Sequence, residues 1–292
     1  MRRFLLLLSL FLVATTVSAG HSRNRGVSMS IEDGDEVTDC SDLTVRFDGD
    51  RAAMVSQEIP FTGRSLRVKS ETHGGIRATG WNGSSYGITV CKAAGAGFSS
   101  DDIRVSLRGN ELTATGPESD QWVAYFLIRV PRNGDLELSS INGPISLDGV
   151  NGRIQAQAEN GPVSVKNSSG TIVATTINGP VSISGGSGQV RLAATNGPVS
   201  VKLEGTTWDG KLDASTQNGP VSLKIARGFR SGVLVTAQGH GPVTCRAEGC
   251  PRGGFRYDEE NNDRPRAIEL GSGDRVVRLS TVNGPISVKD ME

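Results

Sequence analysis

The sequence predicts an all-β fold: a single-stranded parallel β-solenoid, of the β-roll or β-helix type, with ~18–22-residue coils and an irregular N-terminal cap. Three observations lead there. The phrase Asn-Gly-Pro-Val/Ile-Ser-aliphatic begins at Asn142, Asn160, Asn178, Asn196, Asn218 and Asn283, with the variant His-Gly-Pro-Val-Thr-Cys at His240. The first four copies are 18 residues apart, and the next two steps are 22. Glycine is also abundant, 38 of 292 residues, and aromatic side chains are few, as suits short strands joined by tight turns.

The chain opens with Met1-Arg2-Arg3, an apolar run from Phe4 to Val17, and Val17-Ser18-Ala19. A basic start, a short apolar stretch and small residues at its end form a signal peptide, residues 1–19, cut after Ala19. The run is shorter than a bilayer span, and no other segment is apolar enough to cross one. The mature chain is therefore expected to be exported: periplasmic, cell-surface or secreted. Loss of Arg2 and Arg3 leaves a net charge of −2, which offers no footprint for nucleic acid and no polybasic patch for anionic lipid.

Residues 20–62 read as a leader with the first strands, and 63–131 as irregular capping coils. His73-Gly74-Gly75 stands where the repeat has Asn-Gly-Pro, Ile103–Leu107 and Leu112–Thr115 read as a strand pair, and Trp122–Val130 reads as a strand stopped by Pro131. The regular solenoid spans 132–290. Six residues before each corner stand Leu136, Ile154, Ile172, Val190, Leu212, Leu234 and Val277. Four before it stand Leu138, Ala156, Ala174, Leu192, Ala214, Thr236 and Leu279; two before it the residues are mostly small. That period of two marks a strand with one buried face. Asn and Gly are expected to turn the corner at positive φ, and Pro to start the next short strand. An antiparallel meander is the alternative, because Asn-Gly is also a hairpin signal. Only stacked coils, however, require like columns over a whole unit.

The step from His240 to Asn283 is 43 residues, nearly two longer coils, and holds a polar insertion at 246–266. Four cysteines in an exported chain are expected to oxidise, and locality favours Cys40–Cys91 and Cys245–Cys250. The alternative for Cys245 is a reduced thiol filling the core.

Gly80-Trp81-Asn82-Gly83, the run Trp122 through Val130-Pro131-Arg132, and the Asn-Gly-Pro copies together resemble a bacterial β-strand-repeat family provisionally termed adhesins, a domain of unknown function. The resemblance covers about residues 63–290. It implies an exported or surface-facing parallel β-solenoid with no established catalytic residues.

The residues themselves carry no recognisable catalytic constellation. Calcium-binding rolls place an Asp in each Gly-rich turn, whereas here only Asp148 is near one. No cysteine and histidine spacing suits zinc. Asp258, Glu259 and Glu260 form the one acidic cluster and read as a solvated loop; His73 and His240 read as corner residues. No cofactor and no enzyme activity is expected. Two columns face outward: the corner side chains Asn142, Asn160, Asn178, Asn196, Asn218, His240 and Asn283, and a hydroxyl stripe of Ser146, Ser164, Ser182, Ser200, Ser222, Thr244 and Ser287. The function expected is that of a non-enzymatic, adhesin-like or structural envelope module meeting an envelope protein or polysaccharide. The alternative is a carbohydrate-binding or carbohydrate-processing β-helix. A flat ice-binding face would need two outward Thr columns, and the repeats have one Ser column.

Overall fold

The computed structural model describes residues 26–31, 37–239, 241–250 and 266–291. The expected signal peptide, the corner residue His240 and the acidic cluster Asp258-Glu259-Glu260 lie outside the described residues. Each coil is a long strand, a corner and a short strand. In chain order the coils are Ser65–His73 with Ile76–Gly80 (coil 1), Asp135–Asn142 with Ile145–Asp148 (coil 2), Asn151–Asn160 with Val163–Lys166 (coil 3) and Ser169–Asn178 with Val181–Ser184 (coil 4). Then follow Gly188–Asn196 with Val199–Leu203 (coil 5), Gly210–Asn218 with Val221–Ile225 (coil 6), Ser231–Ala237 with Val243–Arg246 (coil 7) and Ser272–Asn283 with Ile286–Asp290 (coil 8).

Long strands pair with long strands and short with short, all parallel across coils 1 to 6 and in register except for one extra residue before His73, between Ser140–Ser70 and Asn142–His73. Ile154 faces Ile172, Ala156 faces Ala174 and Asn160 faces Asn178, while Val163 faces Val181. The two walls enclose a single stacked core of Ile154, Ala156, Val163, Val165 and their counterparts. Small residues in the long strand and branched ones in the short strand let the walls lie close. The meander is excluded by this pairing.

The N-terminal end closes by changing strand direction. Trp122–Val130 runs parallel to the short strand of coil 1 and antiparallel to Gly87–Ala94, which in turn pairs antiparallel with Val55–Glu58. On the long wall, Glu111–Thr115 pairs with coil 1 and Arg104–Arg108 turns back on it. His73 does take the place of the corner Asn, opposite Asn142. A separate sheet of Val27–Ile31, Leu43–Phe47 and Asp50–Ala52 covers the cap through Val45, Phe47, Ala93 and Val123, and the Cys40–Cys91 disulfide ties it there. Tyr86 donates to the Asp135 carbonyl at 2.8 Å, joining cap to coil 2, and burial pushes its phenol up to about 12.

The C-terminal end departs from the sequence reading in two ways. Coil 8 lies between coils 6 and 7: its strands pair with both Gly210–Asn218 and Ser231–Ala237, and with both short strands. Within the 43-residue step, the described strand Arg266–Leu270 runs antiparallel along coil 7. In coil 7 the buried residues are Val233, Val235 and Ala237, opposite Val277, Leu279 and Thr281, and not Leu234 and Thr236. The extra residue before His240 shifts the period of two by one, which exchanges the faces. The Cys245–Cys250 disulfide closes the turn after coil 7.

Because coil 8 is interior, ending the chain after Gly271 removes a rung and not an end. Hydrogen exchange on that truncated protein is expected to show Ser231–Ala237 unprotected while coils 3 and 4 remain protected. Retained protection there would mean that coil 7 docks directly on coil 6.

Candidate interaction surface

The corner sets the geometry of both outer walls. The Asn residues are in ordinary negative-φ backbone; the described non-glycine residues at positive φ are Asp48, Asn133 and Asn167. The left-handed turn therefore falls after the short strand, at Gly149 (φ 61°), Asn167 (φ 47°) and Gly185 (φ 67°), and not at Asn-Gly as the sequence suggested. Glycine is needed at the corner for another reason. A Cβ on Gly161, Gly197, Gly219 or Gly284 would lie inside van der Waals contact with the glycine carbonyl oxygen of the coil beneath.

The corner glycines Gly74, Gly143, Gly161, Gly179, Gly197 and Gly219 each donate the N–H to the Asn carbonyl of the adjacent coil, at 3.0–3.2 Å. Two residues on, Val163 donates to the Pro180 carbonyl and Val199 to the Pro220 carbonyl. The glycine carbonyl between these bonds faces a proline, which has no N–H to give. A buried hydroxyl replaces it: Thr176 donates to Gly161 O (2.9 Å), Thr216 to Gly197 O (2.8 Å) and Thr281 to Gly219 O (2.9 Å). In coil 2 Ser140 serves its own Gly143 (3.2 Å). The column that read as merely small thus contains the donors that complete the corner. Hydroxyl residues at an inward-facing position, Ser140, Thr176, Thr216 and Thr281, are the signal that could have revealed it.

Outside, the Asn side chains form a continuous amide ladder. Nδ2 of Asn160, Asn178, Asn196, Asn218 and Asn283 donates to Oδ1 of the preceding member, from Asn142 upward, at 2.9–3.2 Å. The last step skips from Asn218 to Asn283 because coil 8 is intercalated. Both polar atoms of the interior members are engaged within the ladder.

The short wall carries the hydroxyl stripe. Ser146, Ser164, Ser182, Ser200, Ser222, Ser287 and Thr244 sit directly opposite one another on successive rungs, pointing away from the core. Two residues further along each short strand runs a second outward column: Asp148, Lys166, Ser184, Lys202, Lys224, Lys289 and Arg246. Between the columns lies a shallow depression of about 240 Å³, reaching from Ser164 and Lys166 to Ser222 and Lys224. Glu204 accepts from Lys202 (2.8 Å) and from Ser184 (3.0 Å), and these bonds hold its carboxyl below the usual range.

The long wall bears a wider depression of about 650 Å³ over Ser139, Gln157, Thr175, Ala193, Ser215 and Ser280. Its exposed aliphatics, Ile141, Ile177 and Val282, sit on non-adjacent rungs and form no continuous patch. Among the described residues no group of three or more His, Cys, Asp or Glu is placed to hold a metal ion, and no helix is long and apolar enough to cross a membrane.

The family model described as Toastrack DUF4097 matches residues 23–289. The chain belongs to the Toastrack DUF4097 family. Solved structures similar to this Toastrack chain include a provisionally named cell adhesion protein from Clostridium sporogenes, at 11% identity and TM-score 0.33, covering 82% of this chain and all of that one. A provisionally named adhesin from Bacteroides fragilis is similar at 11% identity and TM-score 0.27, over 82% and 97% of the two chains. A provisionally named lipid binding protein from Parabacteroides distasonis matches at 10% identity and TM-score 0.32, over the same shares. No curated protein matches the sequence.

The hydroxyl-for-proline exchange can be tested inside this Toastrack domain. Thr216→Val leaves the Gly197 carbonyl without its donor and is expected to cost about 1–3 kcal/mol in denaturant unfolding. Ala194 stands between Thr176 and Thr216 in the same column. Ala194→Thr should supply the missing donor to Gly179 and stabilise by about 1 kcal/mol. A neutral first variant, or a destabilised second one, would show that the hydroxyls are spectators.

Proposed function

We propose that this protein is an exported, non-enzymatic interaction module of the cell envelope, whose short wall binds a polysaccharide through its hydroxyl stripe. The observation that carries the reading is the register of Ser146, Ser164, Ser182, Ser200, Ser222, Ser287 and Thr244, one outward hydroxyl on every rung of the short wall from coil 2 onward. Rungs ~4.8 Å apart repeat at a pitch comparable with that of sugar rings in a linear chain. A polymer laid along the axis could then make the same contact many times, and weak single contacts would add up. The Asn ladder does not compete for this role, since its amides bond one another.

Export is supported by the two disulfides, Cys40–Cys91 and Cys245–Cys250, which persist in oxidising compartments. The shape of the wall supports an adhesin-like role: an extended, repeated, shallow surface suits a long partner better than a small substrate, which is held in a concave pocket.

Glycan-array binding compared between the natural protein and the variant Ser164→Ala, Ser182→Ala, Ser200→Ala tests the reading. These side chains point outward, so the fold is expected to survive, as circular dichroism can verify. Binding should weaken by about tenfold or more, roughly 1.4 kcal/mol. Equal binding by the two proteins would reduce the stripe to a tolerated surface.

A further inference from the structure

We infer that the polymer recognised by the short wall is an anionic polysaccharide, with Lys202, Lys224, Lys289 and Arg246 binding its acidic groups beside the hydroxyl stripe. The inference rests on the interaction-module reading above and names its ligand class. In the sheet, Lys202 stands opposite Lys224, Lys224 opposite Lys289, and Lys289 opposite Arg246. Four cations thus occupy four consecutive rungs. The intercalation of coil 8 completes the row: without it, Lys289 would not stand between Lys224 and Arg246.

Like charges directly opposite each other in a sheet destabilise it, so such a row opposes folding unless something neutralises it. Among the described residues little does. Glu204 pairs with Lys202 at 2.8 Å. No described carboxylate lies within ion-pairing distance of Lys224, Lys289 or Arg246. The nearest acids in sequence, Glu248 and Asp290, are turned to backbone: Glu248 accepts from Gly228 N–H (3.2 Å) and Asp290 from Glu248 N–H (3.0 Å). At the other end of the wall, Asp148 lies 3.8 Å from Arg77. On this wall the described positive charge is concentrated on coils 5 to 8, in a chain whose Lys and Arg equal its Asp and Glu in number.

A row of cations focuses potential along one line, which favours a linear polyanion over a single small anion. Two features select a saccharide over a nucleic acid. A hydroxyl accompanies every cation, as sugar hydroxyls require. The outward positions of the short wall hold no aromatic side chain, so nucleic-acid bases would find no stacking platform. Lysine suits the task, because an ammonium on a flexible stem acts as a point charge that tolerates variation in the position of each acid group.

The test measures binding of the full-length mature protein to polygalacturonate, to neutral dextran and to double-stranded DNA. Polygalacturonate should bind, with affinity falling steeply as salt rises, and Lys224→Glu with Lys289→Glu should weaken it by about tenfold or more. Lys224→Gln with Lys289→Gln should weaken it less. Lys211→Glu, on the long wall, should leave it unchanged and so separates the row from overall charge. All these side chains are exposed, and unchanged thermal unfolding would verify the fold. Binding of polygalacturonate that survives Lys224→Glu with Lys289→Glu would overturn the inference. Binding of DNA as tight as that of polygalacturonate would overturn the choice of a saccharide. If dextran binds in a Ser200-dependent way while polygalacturonate does not, the charge inference falls and the hydroxyl stripe stands. If no polysaccharide binds, both fall.

Discussion

The close approach of adjacent coils at the Asn-Gly-Pro corner is the constraint on which the rest of the structure depends. There the glycine Cα of one coil lies against the glycine carbonyl of the next, with no space for a Cβ. Proline starts the short strand but removes the donor that this carbonyl would have received. The Thr hydroxyls of coils 4, 6 and 8 restore it from inside, and the Asn amides clamp the same corner from outside. Steric fit and a missing N–H therefore recur at one place along the stack, with the Asn amides outside and, at Gly161, Gly197 and Gly219, a hydroxyl inside. Since each coil is fixed at that place relative to its neighbour, the aliphatic columns on both sides of the corner stack without slippage.

Registration of the corner has a consequence for the surface. Whatever residue stands two or four places past the proline is repeated along the axis at the spacing of a β-rung, so the chemistry of the wall is the chemistry of a column. Serine in one column and lysine or arginine in the next convert a neutral chain into a wall with a hydroxyl line and, over coils 5 to 8, a cationic line. Neither line needs a pocket, and neither needs the precision of an active site. Recognition by repetition is the mode that such a framework supports.

Much of this was legible in the sequence, because columns in a parallel stack are written as a period. The long and short strands, the inward Ile154, Ala156 and Val163, the outward Ser164, the Trp122–Val130 strand and the place of His73 all follow from alternation and spacing. Three things did not. The positive-φ residues were assigned to Asn-Gly because that pair favours such turns, whereas here close packing, and not torsion, demands the glycine. The location of coil 8 depends on a connection that skips a rung, which no period can report, since order along the chain and order along the axis then differ. The same skip hid the row Lys224, Lys289 and Arg246, whose members are distant in sequence. In coil 7 one extra residue before the corner exchanged Leu234 for Val233, a shift visible only against the partner strand.

The most direct measurement of the corner constraint is a comparison of two alanine substitutions by denaturant unfolding. Gly197 faces the Gly179 carbonyl within van der Waals contact, whereas Gly205, in the turn after coil 5, has only an ordinary 3.4 Å neighbour. Gly197→Ala is predicted to cost roughly 1–3 kcal/mol or more by forcing coils 4 and 5 apart, and Gly205→Ala to be close to neutral. Equal effects at the two sites would contradict the view that coil contact at the corner holds the solenoid in register.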